Sequence, residues 1–118
     1  MTGPVKVLVA DADPEAREQA AVILGGFGFT VLKAANGAEA LHQARGSDEL
    51  TLLVAAARLA DTSGGRLAEA VRRIHPEARV LMGVGFGGEA DAEGYPTIRK
   101  PYRFGPFIRA VREQLIPA

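Results

Sequence analysis

Val5-Lys6-Val7-Leu8-Val9-Ala10-Asp11-Ala12-Asp13-Pro14-Glu15 is the stretch that decides the fold. Its first six residues form a short, mostly β-branched apolar run that stops at Asp11, the pattern of a strand buried on both faces. Asp13-Pro14-Glu15 then supplies an acidic N-cap, a proline at the first helical position and a carboxylate in the first turn. All three are favoured at the positive end of a helix.

Working outward, the alternation continues. The first helix is expected to run to about Leu24, with Gly25-Gly26 as its stop, and Phe29 to Ala34 reads as a second strand of β-branched and aromatic residues. Asn36-Gly37-Ala38-Glu39 has the form of a capping box opening a second helix, the glutamate reaching back to the cap's amide. Leu50 to Ala56 is a third apolar run. Ala57 to Gly65 is expected as a loop, Leu67, Ala68, Val71 and Ile74 as the apolar side of a third helix, and His75-Pro76 as its end. Val80 to Val84 gives a fourth strand and Tyr95 to Arg99 a weaker fifth. The glycine-rich stretch 85–94 between them allows at most a helical turn or two. Phe104, Phe107, Ile108, Val111 and Leu115 recur at helical spacing in the last element, with Gly105 and Pro106 near its start.

Strands alternating with helices predict right-handed crossovers and a parallel sheet covered on both faces. The expected fold is α/β: a flavodoxin-like, doubly wound, five-stranded parallel sheet with its fourth crossover helix shortened or missing. In such sheets a site forms beyond the carboxyl ends of the strands, at the point where strand order reverses. The residues to watch are therefore Asp11-Ala12-Asp13, Ala56, Val84 and Lys100.

Composition narrows the function. A chain of 118 residues is read as one domain, residues 1–118, because it is too short for two separate cores. Fourteen basic residues balance fourteen acidic ones, so no global field draws the chain to nucleic acid or to an anionic membrane, and neither partner is expected. The lack of cysteine excludes disulfides, thiolate nucleophiles and cysteine-ligated metal or haem sites. Met1 to Lys6 resembles no signal or transit leader, and no apolar run approaches the roughly 20 residues that span a bilayer. A cytoplasmic location is the expectation.

At these residues the sequence resembles the receiver domain of two-component signalling, and the likeness covers essentially the whole chain. It is carried by Val7 to Glu15, by Ala34-Ala35-Asn36-Gly37-Ala38-Glu39-Ala40-Leu41, by Arg58-Leu59-Ala60-Asp61-Thr62-Ser63-Gly64 and by Lys100-Pro101-Tyr102. Receivers of hybrid histidine kinases are similarly short between the fourth and fifth strands. The resemblance implies an acidic pair after the first strand, an acceptor aspartate after the third, a hydroxyl residue after the fourth and Lys-Pro after the fifth, the Lys100–Pro101 bond being a candidate cis peptide. Here those positions carry Asp11 and Ala12, then Ala56, then Val84, then Lys100. The aromatic switch position falls on Thr97.

Only Asp11 and Lys100 are retained, so the site reads as a degenerate phosphorylation site. An alanine methyl cannot attack a phosphoryl donor, and the methyls of Ala12 and Ala56 offer magnesium none of the hard oxygens it takes. No catalytic residue and no cofactor are expected, and magnesium binding is expected to be weak or absent. Asp11 and Asp13 are the weak metal candidates; an Asp11–Lys100 ion pair and an N-cap at Asp13 are the preferred structural readings. Asp61 reads as a turn residue rather than a replacement acceptor. Gly83, Gly85 and Gly88 spell G-x-G-x-x-G without the helix that a dinucleotide site needs. His42 and His75 read as surface residues, and the arginines at 66, 72, 73 and 79 as a solvated face.

The expected function is thus a phosphorylation-independent pseudo-receiver, a binding module rather than an enzyme. Its expected partner is a histidine kinase or another response regulator, with a homodimer also possible, and Tyr102, Phe104 and Phe107 are the partner-surface candidates. The alternatives are a receiver phosphorylated at a non-standard aspartate and a small-ligand sensor using the altered pocket.

Overall fold

The computed structural model describes residues 5–85 and 88–116. Five parallel strands, β1 (Lys6–Ala10), β2 (Thr30–Ala34), β3 (Leu52–Ala56), β4 (Arg79–Val84) and β5 (Thr97–Arg99), form one sheet in the order β2-β1-β3-β4-β5. The chain leaves β1 for β2 on one side and returns to β3 on the other, so the order reverses between β1 and β3. The sheet is doubly wound, as the alternation predicts. Four helices cover it: α1 (Pro14–Gly26), α2 (Gly37–Arg45), α3 (Gly64–Ile74) and α4 (Phe104–Leu115).

Alternate side chains of each strand serve opposite faces, which is why the strands read as continuous apolar runs. Leu8, Ala10, Leu53, Ala55, Val80 and Met82 pack with Ala40, Ala44, Leu67, Ala68 and Val71 of α2 and α3. Val7, Val9, Leu52, Val54 and Leu81 pack with Ala16, Ala20, Leu24, Phe107 and Val111 of α1 and α4.

The helix starts follow the sequence signals. Asp13 caps α1, its Oδ1 accepting the Glu15 amide at 3.0 Å. Asn36 caps α2 through the Glu39 amide at 2.8 Å, while the Glu39 carboxylate accepts the Ala35 amide at 2.7 Å, one residue before the cap it was expected to reach.

Three boundaries differ from expectation. Helix α1 runs through Gly25 and Gly26 and stops at Gly28, whose φ of +86° is the left-handed turn that ends helices; the Phe29 amide bonds to the Leu24 carbonyl and the Gly28 amide to the Gly25 carbonyl. Helix α3 begins at Gly64, inside the expected loop, because the Ser63 hydroxyl accepts the Arg66 amide. His75, expected at the surface, is half-buried at the end of α3, with its Nε2 2.8 Å from the Ala44 carbonyl of α2.

Between β4 and β5 stands a single 3₁₀ turn, Glu89–Ala92, where a full crossover helix would otherwise lie. Residues 86 and 87 of that stretch, and the first four residues of the chain's start, lie outside the described residues. No helix of the described residues is long and apolar enough to cross a membrane.

Candidate functional site

Asp11, Ala56, Val84 and Lys100 end or follow β1, β3, β4 and β5, and the parallel sheet brings all four to one edge. The Asp11 carboxylate is buried. Its Oδ1 accepts the Asp13 amide at 3.0 Å, and Lys100 Nζ lies 2.6 Å from its Oδ2. The carbonyl of Asp11 accepts Arg17 Nη1 at 2.7 Å, tying the strand end to the first turn of α1. The charge of the strand-1 aspartate is therefore met inside the chain, as burial of a carboxylate requires.

Ala56 is buried, Ala12 faces solvent and Val84 is in the core. The cavity in front of them holds about 240 Å³; its floor includes Ala56, Gly83, Val84 and Lys100, and Arg58 and Asp91 lie at its rim. Asp11 and Ala12 do not line it. Among the described residues no carboxylate, hydroxyl or imidazole stands on this floor, and the Lys100 ammonium is engaged by Asp11. The donor set does not fit magnesium: Asp11 Oδ1 accepts the Asp13 amide, its Oδ2 makes no hydrogen bond among the described residues and faces the Lys100 ammonium, Asp13 caps α1, and Ala12 and Ala56 bring methyls. Among the described residues no three His, Asp or Glu side chains gather around a point that could hold a metal.

Two partner-surface candidates are core residues. Phe107 is fully buried and Tyr102 nearly so, their rings 4.6 Å apart, because the groove between α1 and the sheet needs large apolar groups to fill it. The Tyr102 amide reaches Gln19 Oε1 at 3.3 Å. Phe104 is the exposed member, tilted against Phe27 at 5.3 Å.

Tyr102 also fills the site from below. Its hydroxyl occupies the space that a side chain on Gly83 would take; a Cβ there would sit within 3.1 Å of Tyr102 Cζ and 3.2 Å of Lys100 Cε. Burial, and then the negative charge of Asp11, push the Tyr102 phenol well above its usual range, so the ring stays protonated. The Lys100–Pro101 bond is cis. Thr97 is exposed at the start of β5, so no ring stands at the switch position.

Asp61 lies outside the cavity. Its two oxygens accept the Gly37 and Ala38 amides at 2.9 and 3.0 Å, capping α2 from the loop after β3, and these bonds hold its carboxyl below the usual carboxylate range. Gly83 lies within β4, and only a four-residue turn follows Gly88, so the glycine pattern builds no phosphate cradle ahead of a helix.

Sequence reasoning missed the groups that close the site. Arg58 Nε meets Asp91 Oδ2 at 3.0 Å, bridging the loop after β3 to the 3₁₀ turn. Glu93, at the left-handed φ of 56°, lays its carboxylate over Gly65 in the first turn of α3, where a Cβ would stand 2.6 Å from its Cδ. For Tyr102 beneath Gly83 the available signals were a glycine interrupting a strand and the tyrosine after Lys100-Pro101; for Arg58, Asp91 and Glu93 there was none.

No protein-family model and no curated protein matches the sequence. Solved structures do. The receiver domain of the hybrid histidine kinase CckA superposes with a TM-score of 0.81 at 25% identity, covering 94% of this chain and 99% of that one. A CheY-like response-regulator receiver from Methanospirillum hungatei gives 0.84 at 22% identity over 96% and 94%. The chemotaxis response regulator CheY4 of Vibrio cholerae gives 0.84 at 20% identity over 96% and 100%. The chain thus has the fold of CheY-like response-regulator receivers, with neighbours that include the receiver of a hybrid histidine kinase.

Proposed function

We propose that this chain, residues 1–118 as one domain, is a phosphorylation-independent pseudo-receiver. It works by binding a signalling protein, such as a histidine kinase or another response regulator, in a cytoplasmic two-component pathway. The observation that carries this reading is the buried methyl of Ala56 at the acceptor position, beside an Asp11 carboxylate already neutralised by Lys100. Receiver chemistry needs an oxygen nucleophile at the third strand end and oxygens around a divalent ion. This chain offers a methyl, a lysine-bound carboxylate and a solvent-facing alanine. No resident cofactor is needed for binding, and neither nucleic acid nor a membrane is a partner in this reading.

Within the module the former site acts as a structural keystone. Lys100 holds the end of β5 to the end of β1, Arg58 holds the 3₁₀ turn to the loop after β3, and Tyr102 seals the floor beneath Gly83. The alternative acceptor Asp61 has both oxygens engaged as a helix cap.

Intact mass after incubation with magnesium and acetyl phosphate, with beryllofluoride titration followed by NMR, tests the proposal. The expected result is no phosphoryl adduct and no shifts around Asp11, Ala56 and Lys100. A stoichiometric adduct overturns it. One observation favours a second reading: the cavity at Ala56 is large enough for a small ligand, and a compound that raises the melting temperature of the chain but not of a cavity-filling Ala56→Leu variant would establish that reading.

A further inference from the structure

Four large apolar side chains stand exposed among the described residues: Val22, Phe27, Phe104 and Ile116. Val22 and Phe27 belong to α1 and its C-cap, Phe104 and Ile116 to α4 and its C-cap. Phe27 and Phe104 touch across the two helices, and Val22 lines an open groove of about 610 Å³ that runs along α1 to Tyr102. The Phe27–Phe104 pair with Val22 on the adjoining groove, rather than single scattered side chains, marks an interaction surface.

The charges beside this face identify its occupant. On α1, Glu15 and Glu18 border the groove; Glu18 is held by Lys33 at 2.7 Å, and Glu15 has no ion pair within the described residues. On α4, Arg103, Arg109 and Arg112 are exposed and make no ion pair there either. The α1 side therefore offers an unmet carboxylate, and α4 an excess of guanidiniums, three arginines against the one exposed carboxylate of Glu113. An isologous contact sets a patch against its own copy across a two-fold axis, so each helix can face the other helix of the second molecule. Such a contact sets each Glu15 against the guanidinium excess of the partner's α4 and covers the Phe27–Phe104 pair. The chain's formal net charge is zero, so two copies approach without repulsion.

We infer that the face formed by α1 and α4 is the contact surface of a symmetric homodimer, with Val22, Phe27 and Phe104 at its centre and Glu15 facing the arginines of the partner's α4. A standard interface takes about 800 Å² from each copy. That is about an eighth of the 6553 Å² that this chain exposes. The inference rests on reading the chain as a binding module and gives that module its first partner.

Sedimentation velocity on the full chain, at concentrations up to about 200 µM, measures the outcome. The expected mass is twice 12.4 kDa. Phe104→Asp and Val22→Asp, both at exposed positions that leave the core intact, each weaken dimerisation at least about tenfold, and Glu15→Arg weakens it as well. Arg66→Asp, on the exposed side of α3, leaves it unchanged. Circular dichroism confirms that each variant is folded. A wild-type monomer at the highest concentration overturns the inference, as does a dimer indifferent to Phe104→Asp. Either result, together with no phosphoryl uptake, leaves the binding-module reading standing, whereas phosphoryl uptake overturns that reading whatever the oligomeric state.

Discussion

Gly83→Ala is the perturbation that tests the site most sharply. Every other β4 residue from Val80 to Val84 carries a side chain into the core, and alanine is ordinarily the better strand residue, favoured over glycine by roughly 0.5–1 kcal/mol. Here the added methyl collides with the Tyr102 hydroxyl and lies within 3.2 Å of Lys100 Cε. The ring has little room to retreat, since Phe107 stacks against it at 4.6 Å and Gln19 holds its backbone amide. Overpacking of this kind costs about 1–3 kcal/mol. Against the strand gain, the net expectation is a loss of about 1–2 kcal/mol.

Tyr102→Phe removes the colliding oxygen, leaving Cζ 3.1 Å from the new methyl, a distance that small shifts of the ring relieve. In the double variant the penalty should therefore largely vanish. Urea denaturation of the four proteins of the cycle gives the coupling, expected at about 1–2 kcal/mol in favour of the pair. Additivity within about 0.5 kcal/mol would refute the argument that glycine stands at 83 to admit the tyrosine.

Other expectations follow from the same geometry. Lys100→Met strands the buried Asp11 carboxylate and should cost about 2–4 kcal/mol in urea denaturation, with Asp11→Asn recovering part of the loss in the same background. Asp61→Asn should lower the melting temperature near neutral pH. The Asp61 carboxyl is held low by the Gly37 and Ala38 amides, so its contribution is present above the unfolded carboxylate pKa and lost as pH falls through the lower folded value; the gap between wild type and variant should close as the pH is lowered past the ordinary carboxylate range. Asp91→Ala breaks an exposed ion pair with Arg58 and should change stability by less than about 1 kcal/mol. Ala56→Asp alone should give no magnesium-dependent phosphoryl adduct by intact mass, because Ala12 still supplies no second carboxylate; Ala12→Asp with Ala56→Asp is the combination expected to gain labelling first.

The fold was legible because local signals agreed with one another. The apolar run to Ala10, the Asp13-Pro14-Glu15 start and the Asn36 to Glu39 box each specify an element from its own residues, and the strand ends then place Asp11, Ala56, Val84 and Lys100 together. What escaped depends on contacts between distant segments. Nothing near Asp61 reveals that it caps a helix 24 residues earlier in the chain, or that Arg58 will meet Asp91 across 33 residues. The partner-surface expectation failed at Tyr102 and Phe107 for a related reason. Aromatic residues at the start of an amphipathic helix look alike in sequence whether they fill the core or face water, and only the position of α1 buries these two while leaving Phe104 outside.

The strand-end residues that differ from the receiver pattern and those that match it fit together in one arrangement. Once Ala12 and Ala56 bring no oxygens, Lys100 meets a single carboxylate, and a lysine and an aspartate at 2.6 Å make a closed pair with no need of a bound ion. Gly83 has no side chain, so the tyrosine after Lys100-Pro101 extends its hydroxyl beside that pair, and the nearby charge of Asp11 helps keep it protonated. Reversing one substitution therefore opens only part of the arrangement. A new carboxylate at position 56 enters a buried floor beside a lysine already engaged, and for a divalent ion to bind, Lys100 must release Asp11. Asp11 and Lys100 hold the ends of β1 and β5 together, while Ala12 and Ala56 set methyls beside them where the receiver pattern has carboxylates.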